Sequence, residues 1–253
     1  STAGQVTATN NITGGNILTT GLISATGNVT GGNITALIRP LAGTVTDAPI
    51  VYTSGVNLTS ATAGAVEYDG TVFYGTAQSS QRGVMPTEHF IVLTTDYVGS
   101  DVSTAQAVFN SPASGTITLP ASTSYFLEAV YYITRAAGTT SHTLSTLFAL
   151  GGTLTSIAYT ADTTSTTGTA IGTVSRKYAT AATATVVTAA STTATENITV
   201  ILKGVVRTNT AGTFTPQIKY SAAPGGAPTI LANSYLRLIP IGTNTVASVG
   251  NWS

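Results

Sequence analysis

Apolar residues recur along this chain at two rhythms, and neither is that of a helix. From Gly83 onward the longer runs alternate with period 2: Phe90–Leu93, Ser124–Thr134, Thr143–Phe148, Asn197–Val206, Thr213–Tyr220 and Ser234–Ile241. In an extended Ser124–Thr134, residues Tyr125, Leu127, Ala129, Tyr131 and Ile133 share one face, and Phe126, Glu128, Val130, Tyr132 and Thr134 share the other. Neither face is fully polar, so both are expected to be covered. No window sustains apolar residues at i, i+3, i+4 and i+7 between helix formers, while Gly, Pro, Thr and Asn recur every few residues. The pattern predicts an all-β domain of roughly eight to ten antiparallel strands, a jelly-roll sandwich over 83–253.

The N-terminal rhythm is different. Gly4-Gln-Val-Thr-Ala-Thr-Asn-Asn-Ile-Thr-Gly-Gly-Asn-Ile17 aligns with Gly21-Leu-Ile-Ser-Ala-Thr-Gly-Asn-Val-Thr-Gly-Gly-Asn-Ile34, a period of 17 from Gly4 to Gly21. Within each copy, short β-branched segments are punctuated by Gly and Asn, the residues that tolerate positive φ. Two such units in one chain bury too little apolar surface to stand alone. Three chains wound about one axis would supply the missing partners, so residues 1–38 are expected to form a trimeric β shaft. The register is already running at Ser1, as in a processed chain or a piece of a longer fibre.

Residues 39–82 keep the strand composition but lose the repeat, and form an expected β connector or collar. Ala48–Thr53 reads as a strand. Ala65–Tyr68 and Thr71–Tyr74 read as a hairpin about Asp69-Gly70, a type I′ signal.

Composition narrows the function classes. Charged residues make up only 7% of the 253, against about 25% in an average domain, so the surface is rich in hydroxyls. Lys plus Arg and Asp plus Glu both number 9, leaving no electrostatic footprint for nucleic acid or an anionic membrane. Near-zero net charge also favours a closed assembly over a dispersed monomer. With 0 cysteines there is neither a disulfide framework nor a thiolate metal site. No apolar run approaches the roughly 18 residues of a membrane span.

Three phrases carry a resemblance. Ile23–Ile34, Ala63–Tyr74 and Leu238–Thr245 resemble tail-fibre and capsid-fibre proteins of tailed bacteriophages. Gly212–Tyr220 and Tyr235–Ile239, following a long central strand, resemble the trimeric jelly rolls of the tumour-necrosis-factor type. The resemblance implies a homotrimer on the virion surface, outside the cell. Its partners would be other virion proteins and a host surface glycan or protein, with no nucleic acid and no membrane insertion. It implies no catalytic residues, no cofactor and no metal. A capsid decoration or cement protein is the alternative, and a polysaccharide-cleaving tailspike a lesser one.

The titratable inventory agrees with a non-enzymatic reading. His89 and His142 are the only histidines, and His142, at the start of a strand, fits a hydrogen-bonded structural role. A glycosidase needs two carboxylates about 5 to 9.5 Å apart. The pairs available, Glu67 with Asp69 and Asp96 with Asp101, sit at turns where solvated carboxylates are common. Asp96 and Asp101 also lack the dense ligand spacing of a calcium loop. Glu128, inside an apolar strand, calls for an arginine partner, with Arg135 and Arg237 available, or for a place at a subunit interface. Six Asn-X-Ser/Thr sequons, Asn11, Asn28, Asn33, Asn57, Asn197 and Asn251, follow from a Thr-rich composition. Among 11 tyrosines most belong to the core, and Tyr97, Tyr178 and Trp252, near loops or the terminus, are the candidate receptor contacts.

Overall fold

The computed structural model describes residues 42–166, 172 and 174–252; the expected shaft at 1–38 lies outside them. The chain divides into two units, Ser1–Val51 and Tyr52–Ser253. In the first, the described residues 42–51 are exposed and form no strand. The strand expected over Ala48–Thr53 is therefore not formed. Its side chains are all exposed and its backbone has no ladder partner, so β-branched composition alone has nothing to pair with.

The second unit is all-β, and every ladder in it is antiparallel. It opens with β1 (Val66–Tyr68), β2 (Phe73–Thr76) and β3 (Arg82–Met85), a three-stranded sheet of their own. There follow β4 (His89–Val92), β5 (Tyr97–Val98), β6 (Gln106–Ala107), β7 (Ile117–Leu119), β8 (Thr123–Arg135), β9 (Leu144–Leu150), β10 (Leu154–Thr166) and β11 (Val174–Ala179). The last five are β12 (Thr185–Val186), β13 (Glu196–Thr208), β14 (Gly212–Tyr220), β15 (Thr229–Ile230) and β16 (Tyr235–Thr243). Among the described residues the single helical element is a 3-10 turn at Ala113–Gly115, and no described helix is long and apolar enough to cross a membrane.

The expected hairpin exists, but with a different turn. Tyr68 pairs with Phe73, so residues 69–72 form a wider loop than the two-residue turn that Asp69-Gly70 suggests. The Asp69 side chain reorganises it: Oδ1 accepts from Thr71 N at 2.7 Å and Val72 N at 2.9 Å, and Oδ2 accepts from the Tyr74 hydroxyl at 2.8 Å. Gly70 supplies the positive φ, +93°.

The remaining strands build a two-sheet sandwich. The larger sheet runs β11-β10-β13-β8, and the other edge of β8 is shared by β16 along its first part and β15 at its end, with β4 and β5 outermost. The smaller sheet runs β12-β9-β14, with β6 and β7 sharing the far edge of β14. From β7 to β10, successive strands alternate between sheets, so the connections cross the sandwich as jelly-roll connections do.

Alternation fixes what fills the space between the sheets. Tyr125, Leu127, Ala129, Tyr131 and Ile133 of β8 point inward, as do Ile198, Val200, Leu202 and Val206 of β13, and meet Phe214, Ile218 and Tyr220 of β14. Phe148 stacks on Phe214 at 4.6 Å and meets Tyr159 edge-on at 5.5 Å. β10 and β11 lie outside the sequence-predicted strands. Leu154–Thr166 is largely Thr, Ser and Ala, and only Ile157, Tyr159 and Ala161 mark its inward face.

The sandwich has two distinguishable ends. At the near end, Asn244 N donates to Ser122 O, and Arg207 donates to Asn244 O and Val246 O, which folds the C-terminal residues back beside β3. A cleft shared by Val84, Phe126, Val246 and Trp252 shows the three-stranded sheet at this same end. At the far end β8 finishes and β13 begins, beside the short strands β15 and β5.

Candidate functional site

The far-end loops are held by a buried cluster. Arg135 and Glu196 are cross-strand partners at the ends of β8 and β13, and Arg135 Nη2 donates to Glu196 Oε2 at 2.9 Å. The guanidinium also donates to the carbonyls of Ala137, Gly138 and Thr193, so one side chain spans two loops. His142 Nδ1 donates to Thr140 O at 2.8 Å, and Nε2 lies 3.0 Å from Glu196 Oε2. The imidazole meets the Tyr220 ring edge-on at 5.2 Å. Burial by itself would raise the Glu196 carboxyl, but hydrogen bonds from Ser191, Arg135 and His142 outweigh it and hold the group below its usual range. All three side chains are sealed from solvent. The cluster anchors loops.

Two more carboxylates knit the same end. Asp101 accepts from Gly225 N at 3.0 Å and Asp96 accepts from Ala232 N at 2.8 Å. Gly138 lies so close to Pro224 and Gly225 that a Cβ there would sit 2.2 Å from Pro224 O. Among the described residues no three His, Asp or Glu side chains gather as a metal site would require.

Beside this cluster the sandwich opens into a cleft of about 340 Å³ between β10, β11 and the segment after β12. It is lined by Thr163 and Ser165 of β10, Ser175 of β11, Glu196 of β13 and the segment 187–191, in which Val187, Ala189 and Ala190 are interleaved with Thr188 and Ser191. Thr163 and Ser175 are cross-strand neighbours. Thr163 is 2% exposed, and its hydroxyl has no hydrogen-bond partner among the described residues.

The two outer sheet faces differ in chemistry. On the outer face of the smaller sheet, β9 and β14 expose Lys219, leave Leu147, Ala149, Thr215 and Gln217 half-buried and bury Ser145, with no exposed aromatic residue among them. The larger sheet presents Phe90, Val92, Phe126 and Tyr132, all exposed, together with half-buried Ile201, Val205, Tyr235, Ile239 and Ile241. Several of its charges are paired: the Tyr235 hydroxyl donates to Glu128 at 2.8 Å, Arg237 Nη2 donates to Glu88 at 3.0 Å, and Arg237 Nη1 lies 3.9 Å from Glu128, while Lys203 is exposed on the same face. Of the two arginines considered for Glu128, Arg237 is the neighbour and Arg135 belongs to Glu196.

The candidate receptor contacts do not converge. Tyr97 lies on β5 at one edge of the larger sheet, partly buried against the core. Tyr178 is on β11 at the opposite edge, 70% exposed and paired with Thr160. Trp252, 79% exposed, sits at the near end and donates through Nε1 to Val249 O. Glu67 is engaged by Arg82 Nε at 2.8 Å and by Leu58 N at 2.6 Å, apart from the ligands of Asp69. Glu196, Thr163 and Ser175 were not singled out in the sequence. The one signal for Glu196 is an acid opening an apolar run in a chain with only 9 acids.

No protein-family model matches the chain, and no curated protein matches it in sequence.

Proposed function

We propose that this chain is a structural fibre protein of a tailed bacteriophage, a homotrimer without turnover chemistry whose shaft presents the sandwich head to the host surface. The observation that carries this reading is the contrast between the two outer sheet faces. The apolar residues lie on the outer face of β4, β16, β8 and β13, whereas β10 and β11 turn Thr160, Asp162 and Arg176 outward. Four strands about 4.8 Å apart and up to 13 residues long at about 3.4 Å each make a face of at most roughly 19 by 44 Å, on the scale of the about 800 Å² per partner of a stable interface. A monomer rarely leaves so large an aromatic and aliphatic band uncovered. The glycine-punctuated repeat before it requires partner chains for the same reason. With β8 in the middle of the face, Phe126 and Tyr132 would lie nearest the threefold axis. The far-end loops would then stay free for attachment.

The absence of native cysteines makes the test clean. Phe126→Cys in the full chain is expected to oxidise to disulfide-linked pairs within a particle of three chain masses, whereas Lys219→Cys on the other sheet stays unlinked. A monomer in solution would overturn the reading. For the attachment step, the purified protein is expected to compete with phage adsorption; a trimer that instead binds only assembled capsids would be a decoration protein.

A further inference from the structure

The far-end cleft has the features of a ligand site. Thr163 lines it, and its buried hydroxyl has no partner among the described residues, an unfavourable state unless something supplies one. Ser165 and Ser175 add hydroxyls with no side-chain partner among the described residues. Each of these groups both donates and accepts, which matches a ligand whose own groups do the same. Val187, Ala189 and Ala190 of the segment after β12 line the same cleft, so a ring with polar edges and a C–H face finds both kinds of surface. At about 340 Å³ the cleft is at the lower end of small-molecule sites, the scale of one ring and not of a chain.

Charge selects further. The lining contains one carboxylate, Glu196, and no cation of its own. Arg135 and His142 both contact Oε2 of that carboxylate, at 2.9 and 3.0 Å, and are themselves buried. An anionic ligand would meet a carboxylate with no free counter-charge, and a strongly cationic one would compete with Arg135. From this geometry we infer that the cleft binds a neutral polyhydroxylated ring, a single neutral monosaccharide unit such as ends a surface glycan. The inference rests on the attachment reading above and assigns it a site.

The experiment is ligand-observed saturation-transfer NMR on the full-length protein with free glucose, galactose, mannose and N-acetylglucosamine, and with glucuronic acid as the charged control. At least one neutral sugar is expected to bind at millimolar concentration and glucuronic acid not to. Thr163→Val keeps the side-chain shape and removes an unpaired hydroxyl, so folding stability is held or raised while affinity falls about two- to tenfold, one neutral hydrogen bond. Ser175→Ala is expected to act in the same direction. No transfer from any neutral sugar at tens of millimolar overturns the inference and leaves a cleft filled by water only. Binding unaltered in both variants, or binding of the acid alone, overturns it equally. Failure here with adsorption still blocked by the protein would remove this site and spare the attachment role, whereas loss of adsorption competition would remove that role itself.

Discussion

Arg135 and Glu196 face each other across the β8–β13 ladder, with Nη2 and Oε2 2.9 Å apart and side-chain exposures of 1% and 4%. Two charges this deeply buried stabilise only as a set, since each is desolvated and depends on the other. Glu196→Gln leaves a buried guanidinium uncompensated and is expected to cost about 3–5 kcal/mol in urea unfolding. The pH dependence has a definite sign. Because the folded carboxyl lies below its ordinary value of 4.5, its contribution is complete above that pH and is lost as pH falls through the folded value. Wild-type stability should drop on acidification below 4.5, and the Gln variant should give a flatter curve.

Asp162 and Arg176 repeat the same chemistry at the surface. Their contact is shorter, 2.6 Å, yet the side chains are 27% and 72% exposed. Water screens the pair and side-chain ordering opposes it. Asp162→Asn is expected to leave the urea midpoint unchanged, and a loss comparable to that of Glu196→Gln would contradict this account of burial.

Gly204 lies mid-strand in β13, opposite Tyr159 on β10 and Leu127 on β8. A Cβ there would sit 2.1 Å from Ala158 O and 2.6 Å from Tyr159 Cα, and backbone cannot swing aside. Gly204→Ala is therefore expected to destabilise by about 1–3 kcal/mol through overpacking, read as a lower melting temperature.

Tyr220 sets an alkaline limit. Burial pushes its hydroxyl from 10.0 up to about 12, and that oxygen has no partner among the described residues. Between those pH values the unfolded chain ionises while the folded one stays protonated, so stability falls as pH rises. Tyr220→Phe should cost little at neutral pH, flatten the alkaline loss and remove a late step from the phenolate absorbance titration.

The Asp69 loop is expected to fail locally. Asp69→Ala removes the acceptor for Thr71 N, Val72 N and the Tyr74 hydroxyl, a loss of about 1–3 kcal/mol. Hydrogen exchange should accelerate in Val66–Met85 and remain unchanged in β8 and β13.

The long apolar strands were legible because burial between two sheets imposes period 2 on side chains. Thr123–Arg135 and Glu196–Thr208 carry that period almost without interruption. β10 was not legible, since Thr, Ser and Ala alternate there with only three apolar markers and take their strand conformation from the ladder with β13. Ala48–Thr53 errs the other way: strand-like residues with no neighbour to pair. The Asp69-Gly70 dipeptide announced a turn, but the side chain's three hydrogen bonds chose its length.

The amino-acid order determined, through local alternation and the lack of helix periodicity, that this protein is built of antiparallel sheet. It led to the expectation that both faces of Ser124–Thr134 are covered, whereas the single chain buries the Tyr125–Ile133 face and leaves Phe126 and Tyr132 exposed. Only the tertiary structure decided that Arg135, His142 and Glu196 meet, that Thr163 and Ser175 open onto one cleft, and that Tyr97, Tyr178 and Trp252 lie apart. Those contacts join residues distant in the chain, and they depend on strand order and register, which a period-2 pattern leaves undetermined.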